Sequence, residues 1–207
     1  RLLFAATSHA GAGPLPNDLR QFMRLSDAES LSVAIQEMSS SEVIQVVRDG
    51  RCAIGIYWDY VETTGLQTAP YYSDAFCCVV AAGHPLAGAT HVSYNDVTKH
   101  KIIGMRTTRQ AEAYVSRVGA IDAPNARYIV EASTHESALR LVAENIGVFI
   151  TSMSVFETYK DCWNLAAIPI SNLFPLQFRL VFRNPESLPQ SGQNLIKHLS
   201  SVHVNQQ

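Results

Sequence analysis

Ser39-Ser40-Ser41-Glu42-Val43-Ile44-Gln45-Val46-Val47-Arg48-Asp49-Gly50-Arg51-Cys52-Ala53-Ile54-Gly55-Ile56-Tyr57 is the stretch on which the fold class turns. Serines are favoured helix N-caps, because the hydroxyl accepts a bond from a free backbone N–H. Val43, Ile44, Val46 and Val47 then recur at helical spacing. Asp49-Gly50 closes the helix, since glycine accepts the left-handed conformation just past a last turn. From Cys52 to Tyr57 the pattern changes and both faces are apolar, as in a strand buried in a parallel sheet. A capped amphipathic helix running directly into a two-sided apolar strand is half of an α/β unit.

The same alternation extends outward in both directions. Leu2 to Thr7 is a β-prone apolar run, Ser8 to Gly13 reads as a loose turn, and Pro14 to Leu25 carries Leu15, Leu19, Phe22, Met23 and Leu25 at helical spacing. Ser30 to Glu37 alternates Leu31, Val33 and Ile35 inward against Ser32, Ala34 and Gln36, the period of a strand. Downstream, Leu66–Tyr72 and Ala75–Ala82 read as strands, and Gly83-His84-Pro85-Leu86 breaks the second. Lys101–Met105 is a strand, Thr107-Thr108 can cap a helix over Gln110–Val118, and Arg127–Ala132 is again a strand. Ser133-Thr134 caps a helix with Ala138, Leu139, Val142 and Ile146 on one stripe. Val148–Ile150, Leu165–Ile170 and Gln177–Phe182 are strands, and Gly192–Val202 is a closing helix. The series strand–helix–strand–helix–strand is written twice, from residue 1 and from Lys101. That predicts two lobes of parallel sheet covered by helices on both faces, with a cleft between them.

The 207 residues can build one large domain or two small lobes around a real core. Hydrophobic residues are 47% and charged residues 16%, a globular balance that argues against wholesale disorder. With 16 Lys and Arg scattered among 18 acids and a net charge of −2, no basic stripe exists to hold duplex DNA. No apolar run reaches the roughly 18 residues of a transmembrane helix. Residues 1–6 are too short an apolar stretch for a signal peptide and read as a strand. Because the chain starts at Arg1 without a Met, it is expected to be a piece of a longer polypeptide.

The four cysteines, Cys52, Cys77, Cys78 and Cys162, show no CxxC spacing, so neither a zinc site nor a thioredoxin-like pair is expected. Adjacent Cys77 and Cys78 point to opposite faces of a strand. Four reduced thiols acting as small hydrophobes suit a reducing cytoplasm.

Chemistry is expected beyond the carboxyl ends of the strands, where parallel α/β sheets bind ligands. Four segments place small hydroxyl residues between a strand and a helix: Thr7-Ser8-His9, Ser39-Ser40-Ser41, Thr107-Thr108 and Ser133-Thr134-His135. Free N–H groups, hydroxyls and the positive end of a helix dipole favour an anion there. Helix capping alone explains any one of them; four, split between two half-domains, point to a polar cleft. His9 is either an exposed turn histidine or a carboxylate contact that titrates near neutrality. His135 has the same two readings. Arg106 and Arg109 flank the threonine pair and are either solvated or able to make forked pairs with an acid. Tyr57 and Trp58, ending a strand, either pack the core or wall a ligand. No G-x-S-x-G, H-E-x-x-H or G-x-x-x-x-G-K-[ST] motif is present, Pro14 breaks any dinucleotide fingerprint after Gly13, and no catalytic set, cofactor or metal site is expected.

Several stretches in order resemble the effector-binding domain of LysR-type transcriptional regulators. Arg1 to Thr7 looks like that family's first strand, and Leu15-Pro16 with Leu19 and Phe22 is similar to its first helix. Glu42 through Gly50-Arg51 resembles its "ell-ala-leu-arg-ala-gly" helix. Phe76–Val80 followed by Gly83-His84-Pro85-Leu86-Ala87 resembles the lobe-crossing strand and its "HPLA" turn. Leu141-Val142-Ala143 through Gly147-Val148, and then Leu180-Val181-Phe182, complete the likeness over essentially the whole chain. The chain departs from the family at Cys52-Ala53, where an Asp is common, and at Asn145, where Gly is usual. Asn is the non-glycine residue best suited to a left-handed position. It also departs at Ile150-Thr151-Ser152, which lacks the common Pro.

The resemblance implies an α/β fold of two Rossmann-like lobes, periplasmic-binding-protein-like of type II. Lobe I would comprise residues 1–79 and 180–207 and lobe II residues 80–179, with crossings near Val80 and Arg179. It further implies a winged helix-turn-helix DNA-binding domain that precedes this chain, a cytoplasmic homodimer or tetramer, and no enzymatic activity. A small organic acid or similar polar effector would bind between the lobes. The family's ligand positions fall on Ser8, His9, Ser40, Thr107 and Thr108, with Phe149 nearby on resemblance alone. An exported solute-binding protein of a transporter, sharing the fold, is the alternative.

Overall fold

The computed structural model describes residues 1–25, 31–105 and 126–203. The elements in chain order begin with β1 (Leu2–Ala6), α1 (Ser8–Ala12), α2 (Leu15–Arg24), β2 (Val33–Glu37), α3 (Ser40–Arg48) and β3 (Ile54–Trp58). They continue with β4 (Gln67–Asp74), β5 (Phe76–Ala81), α4 (Tyr94–Val97), β6 (Lys101–Met105) and β7 (Arg127–Ala132). The series closes with α5 (His135–Ala143), β8 (Val148–Ser152), α6 (Met153–Tyr159), β9 (Leu165–Pro169), β10 (Leu176–Phe182) and α7 (Gln190–Ser201). Single turns of 3-10 helix cover Pro85–Gly88 and Pro185–Ser187.

The chain forms two compact units, Arg1–Ser73 with Leu176–Gln207 and Asp74–Pro175. Their divisions fall at 73/74 and 175/176, several residues before the expected crossings near Val80 and Arg179. The reason is pairing: β5 is bonded along its length to β8 and β9, whereas β10 is bonded to β3 from its third residue onward.

Each unit holds one five-stranded sheet, in the order β2-β1-β3-β10-β4 in the first and β7-β6-β8-β5-β9 in the second. In the first, β1 runs parallel to β2 and β3, and β10 runs antiparallel to β3. In the second, β6 runs parallel to β7 and β8, and β5 runs antiparallel to β8 and β9. Three parallel strands therefore recur in each unit, but the sheets are mixed rather than wholly parallel. Parallel neighbours need a long crossover, usually helical. β5 and β10 follow Ala75 and Pro175 with no helix of their own, and run antiparallel to β8 and β9 and to β3 respectively.

The quoted stretch behaves as its pattern dictates. Ser39 caps α3 in a capping box with Glu42, and all five residues of β3 are buried. Val43, Ile44, Val46 and Val47 pack with Ala5, Cys52, Tyr57 and Val181. Burying each such side chain is worth about 1.5–3 kcal/mol. Gly55 lets this helix approach: a Cβ there would stand 2.5 Å from Val43 Cγ1 and 2.9 Å from Val181 Cγ1. In the second unit Ala138, Leu139 and Val142 of α5 pack on Cys77, Val79, Ile103, Met105 and Phe149. Asn145, at φ 56°, is the only non-glycine residue with positive φ among the described residues, as the departure from glycine requires. It ends the helical stripe, so Ile146 falls outside α5 and is exposed.

Three local expectations change. Ser8 to Ala12 is a helical turn rather than a loose one. The strand expected over 30–37 covers only Val33–Glu37, and its alternation is not realised because β2 is an edge strand with Ile35 exposed. The apolar run from Val148 continues as strand through Ser152, all of it buried. Ser30, Arg106, Thr107, Thr108, Arg109 and the helix expected over 110–118 lie outside the described residues.

Candidate functional site

β1, β2 and β3 are mutually parallel, so their carboxyl ends share one edge of the first sheet. Thr7, directly after β1, is fixed there by its N–H, which donates to the Ile56 carbonyl at 3.1 Å. Its side chain makes no capping bond to α1. Thr7 Oγ1 and Ser8 Oγ are both buried, and neither has a hydrogen-bond partner among the described residues. Leaving a buried hydroxyl unsatisfied costs about 1–3 kcal/mol, so two adjacent ones at a strand end mark a place built to meet something polar.

His9, half-buried in α1, lies with its ring centroid 6.2 Å from Phe178, whose ring stacks on Tyr72 at 4.5 Å. The exposed-turn reading of His9 therefore gives way to a helical histidine beside an aromatic wall. Glu37, at the end of β2, lies against Gly11, where any side chain would collide with its carboxylate. Partial burial raises the Glu37 pKa, favouring its neutral form.

The serines after β2 are already engaged. Ser39 Oγ accepts the Glu42 N–H at 3.4 Å, while the Glu42 carboxylate accepts the Ser39 N–H at 2.8 Å. Ser40, 3% exposed, accepts the Trp58 N–H on its Oγ at 3.0 Å. Burial raises the Tyr60 phenol, and its hydrogen bond with Ser40 offsets part of that rise. Beside them the Tyr57 hydroxyl donates to Asp59 at 3.3 Å. Arg179 Nε lies 3.8 Å from Asp59, and Arg179 Nη2 donates to Thr68 at 3.0 Å. Burial, then the Asp59 charge, pushes the Tyr57 phenol up, with Arg179 opposing. Tyr57 and Trp58 are thus core residues of the first unit, and Ser40 is its tether.

In the second unit β6, β7 and β8 likewise share a carboxyl edge. Thr134 caps α5 by accepting the Ser137 N–H at 3.1 Å. His135, 3% exposed, opens α5 with its ring 5.9 Å from that of Phe149. Phe149 is fully buried in the cluster with Leu139, Val142 and Met105. Two residues on, and so on the same face of β8, Thr151 Oγ1 is buried without a hydrogen-bond partner. Reading the sequence for sites passed over Thr151; its one signal was the missing proline at Ile150-Thr151-Ser152. The structure thus gathers Ser8, His9 and Ser40, with Thr7, in the first unit, and His135 and Phe149, with Thr151, in the second. Among the described residues no group of three or more His, Cys, Asp or Glu could hold a metal ion.

The LysR substrate-binding domain model matches residues 1–203. The chain belongs to the LysR substrate-binding domain family. The HTH-type transcriptional regulator CysL of Bacillus subtilis (strain 168) is 24% identical over 181 residues, which are 87% of this chain and 60% of that protein. The chain therefore spans about three fifths of the length of that relative. The regulatory domain of Synechocystis PCC6803 CcmR in complex with 2-PG superimposes with a TM-score of 0.82, covering 99% of this chain and 98% of the other at 17% identity. The BenM effector-binding domain with its effector benzoate gives a TM-score of 0.78 at 16% identity, covering 99% and 92%. These likenesses establish a LysR substrate-binding domain with two α/β lobes of the periplasmic-binding-protein type.

Proposed function

We propose that this LysR substrate-binding domain is the effector sensor of a LysR-type transcriptional regulator and that its effector is a small organic anion. The anion would be met by Thr7 and Ser8, with His9 beside it and Ser40 fixing the edge. Thr107, Thr108, His135 and Phe149 are the proposed contributors of the second unit. The observation that carries this reading is the pair of buried, partnerless hydroxyls Thr7 Oγ1 and Ser8 Oγ at the carboxyl end of β1. Benzoate, the effector in the BenM complex, is a carboxylate and supports the class.

As a sensor the domain works by linkage. An effector shifts a conformational equilibrium only by its difference in affinity between two states. The readout would be a DNA-binding domain in the same polypeptide, in a cytoplasmic homodimer or tetramer. The family match and the regulator relatives favour this reading over an exported solute-binding protein or an enzyme. Among the described residues no helix is long and apolar enough to cross a membrane.

Titration calorimetry of this domain against a panel of small carboxylates, benzoate included, tests the proposal. A carboxylate should bind, and Ser8→Ala should weaken it about tenfold or more, as expected for a hydrogen bond to a charged group. If none binds, or if Ser8→Ala with Thr7→Val leaves the affinity unchanged, the site is wrong.

A further inference from the structure

We infer that the first unit carries a second ligand site, at the opposite end of its sheet from Thr7 and Ser8. It takes an organic molecule with a dianionic oxyanion head of the phosphate-monoester type. β1 and β3 start at this edge, and β10, antiparallel to β3, ends there. A cavity of about 580 Å³ opens between the start of β1, the end of α3 and the first turn of α7. That is the size of a small-molecule site and far larger than a bare oxyanion needs.

Its lining is one-sided in charge. Arg1, Arg51 and Arg183 line it, and none of the other described residues that line it is acidic. In a chain of net charge −2 whose cations are scattered in sequence, that convergence exists only in the fold. Arg51 has a weak rim partner, Asp49, at 3.6 Å, and both are well exposed. Arg1 and Arg183 have no ion-pair partner among the described residues. The Arg183 guanidinium lies against Gly50, where a Cβ would stand 2.6–2.9 Å from Nη2, Cζ and Nη1. Gly50 has φ 75°, so glycine here serves both the helix end and the seat of the arginine.

Ser187 and Ser191 supply polar groups on the other wall. Ser191 lies in the first turn of the twelve-residue α7, whose N-cap Pro189 makes no side-chain capping bond. Free N–H groups and the helix dipole add to the cationic field there. Leu31 and Leu188 contribute an apolar surface. Guanidinium forks match phosphate and carboxylate oxygens, and several converging forks favour a doubly charged head over a single carboxylate. The apolar part of the lining favours a head carried on an organic body.

The probes are phenyl phosphate, inorganic phosphate and benzoate, titrated into the domain with calorimetry and amide NMR. Phenyl phosphate should bind more tightly than inorganic phosphate, and it should move the amide signals of Gly50, Arg51 and Ser191 while leaving Ser8 unmoved. Arg183→Gln and Arg51→Gln should each weaken it at least about fivefold, as for loss of a charge-assisted hydrogen bond. Gly50→Ala, which displaces Arg183 without removing its charge, should weaken it too. Ser8→Ala should leave this affinity unchanged, so failure here and failure of the effector proposal are read separately. Inorganic phosphate binding as well as phenyl phosphate would overturn the organic ligand, and benzoate competing equally would overturn the dianionic head. Phenyl phosphate affinity unmoved by both arginine variants, or no binding at all, would overturn the site.

Discussion

The Ser40 hydroxyl accepts the Trp58 backbone N–H at 3.0 Å, joining the first turn of α3 to the end of β3. Both residues are buried, so the bond has no water to replace it. Ser40→Ala strands that N–H and should destabilise the first unit by about 1–3 kcal/mol. Thermal unfolding should fall by about 2–4 °C per kcal/mol in a chain of this size. Effector affinity should fall as well, because the edge carrying Thr7 and Ser8 is held against the same strand. An unchanged melting temperature would show that the bond contributes nothing net.

Thr7→Val should act in the opposite direction on stability. The hydroxyl it removes is buried and partnerless, and valine keeps the shape. The ligand-free domain should gain about 1 kcal/mol, the lower end of the cost of an unmet buried hydroxyl. Urea titration of the ligand-free protein measures it. Stability gained together with carboxylate affinity lost is the signature of a group kept for binding; a destabilised variant would mean that Thr7 is satisfied in solution.

Asp18 tests the packing of the first unit away from its site. The carboxylate is 1% exposed; it accepts the Tyr71 hydroxyl at 2.6 Å and faces His203 Nε2 at 2.7 Å. Burial first, then the neighbouring Asp18 charge, holds the Tyr71 phenol well above its usual range. Tyr71→Phe leaves the buried carboxylate short of a donor and should cost about 2–3 kcal/mol in chemical denaturation. A loss near zero would mean that His203 alone satisfies Asp18.

Much of this architecture was written in local pattern. The capped helix from Ser40 and the buried strand from Ile54 follow from spacing and capping, and Asn145 announced its own left-handed turn. What pattern could not carry was strand direction in β5 and β10, which depends on the route of the chain and not on apolar period. The alternation in β2 failed because an edge strand has less to bury. At the site, Ser8 was legible as a hydroxyl after a strand, but only the tertiary hydrogen bond from the Trp58 N–H separates the tethered oxygen of Ser40 from the orphaned one of Ser8. Thr151 and the convergence of Arg51 with Arg183 are products of tertiary contact, with no spacing in sequence to give them away.

Cysteine reactivity should divide sharply. Cys162 is exposed, whereas Cys52, Cys77 and Cys78 are buried. Burial pushes the Cys78 thiol up to about 12, Cys77 well above its ordinary value, and Cys52 up against the opposing charge of Arg51. Thiolate is the reactive form. Iodoacetamide on the native protein should therefore add one group, at Cys162, and reach the other three only in denaturant. Rapid native labelling of Cys77 or Cys78 would contradict the packing of β5.

His84 sets an acid-side dependence of stability. Its Nδ1 accepts the Leu86 N–H at 3.2 Å, and its ring lies 4.9 Å from that of His100. Partial burial first, then repulsion from His100, lowers its pKa below the ordinary histidine value. The unfolded chain therefore takes up this proton more readily than the native one. Stability is complete above an ordinary value of about 6.5 and declines as pH falls from there to the native pKa, levelling below it. His84→Asn keeps a side chain able to cap the turn and should reduce the loss in denaturant midpoint between about pH 7.5 and about pH 5.5. His100→Gln should raise the His84 titration seen by NMR without restoring it fully, since burial remains the larger cause. A His84 ring that titrates at or above the ordinary histidine value in the native protein would remove the basis for the effect.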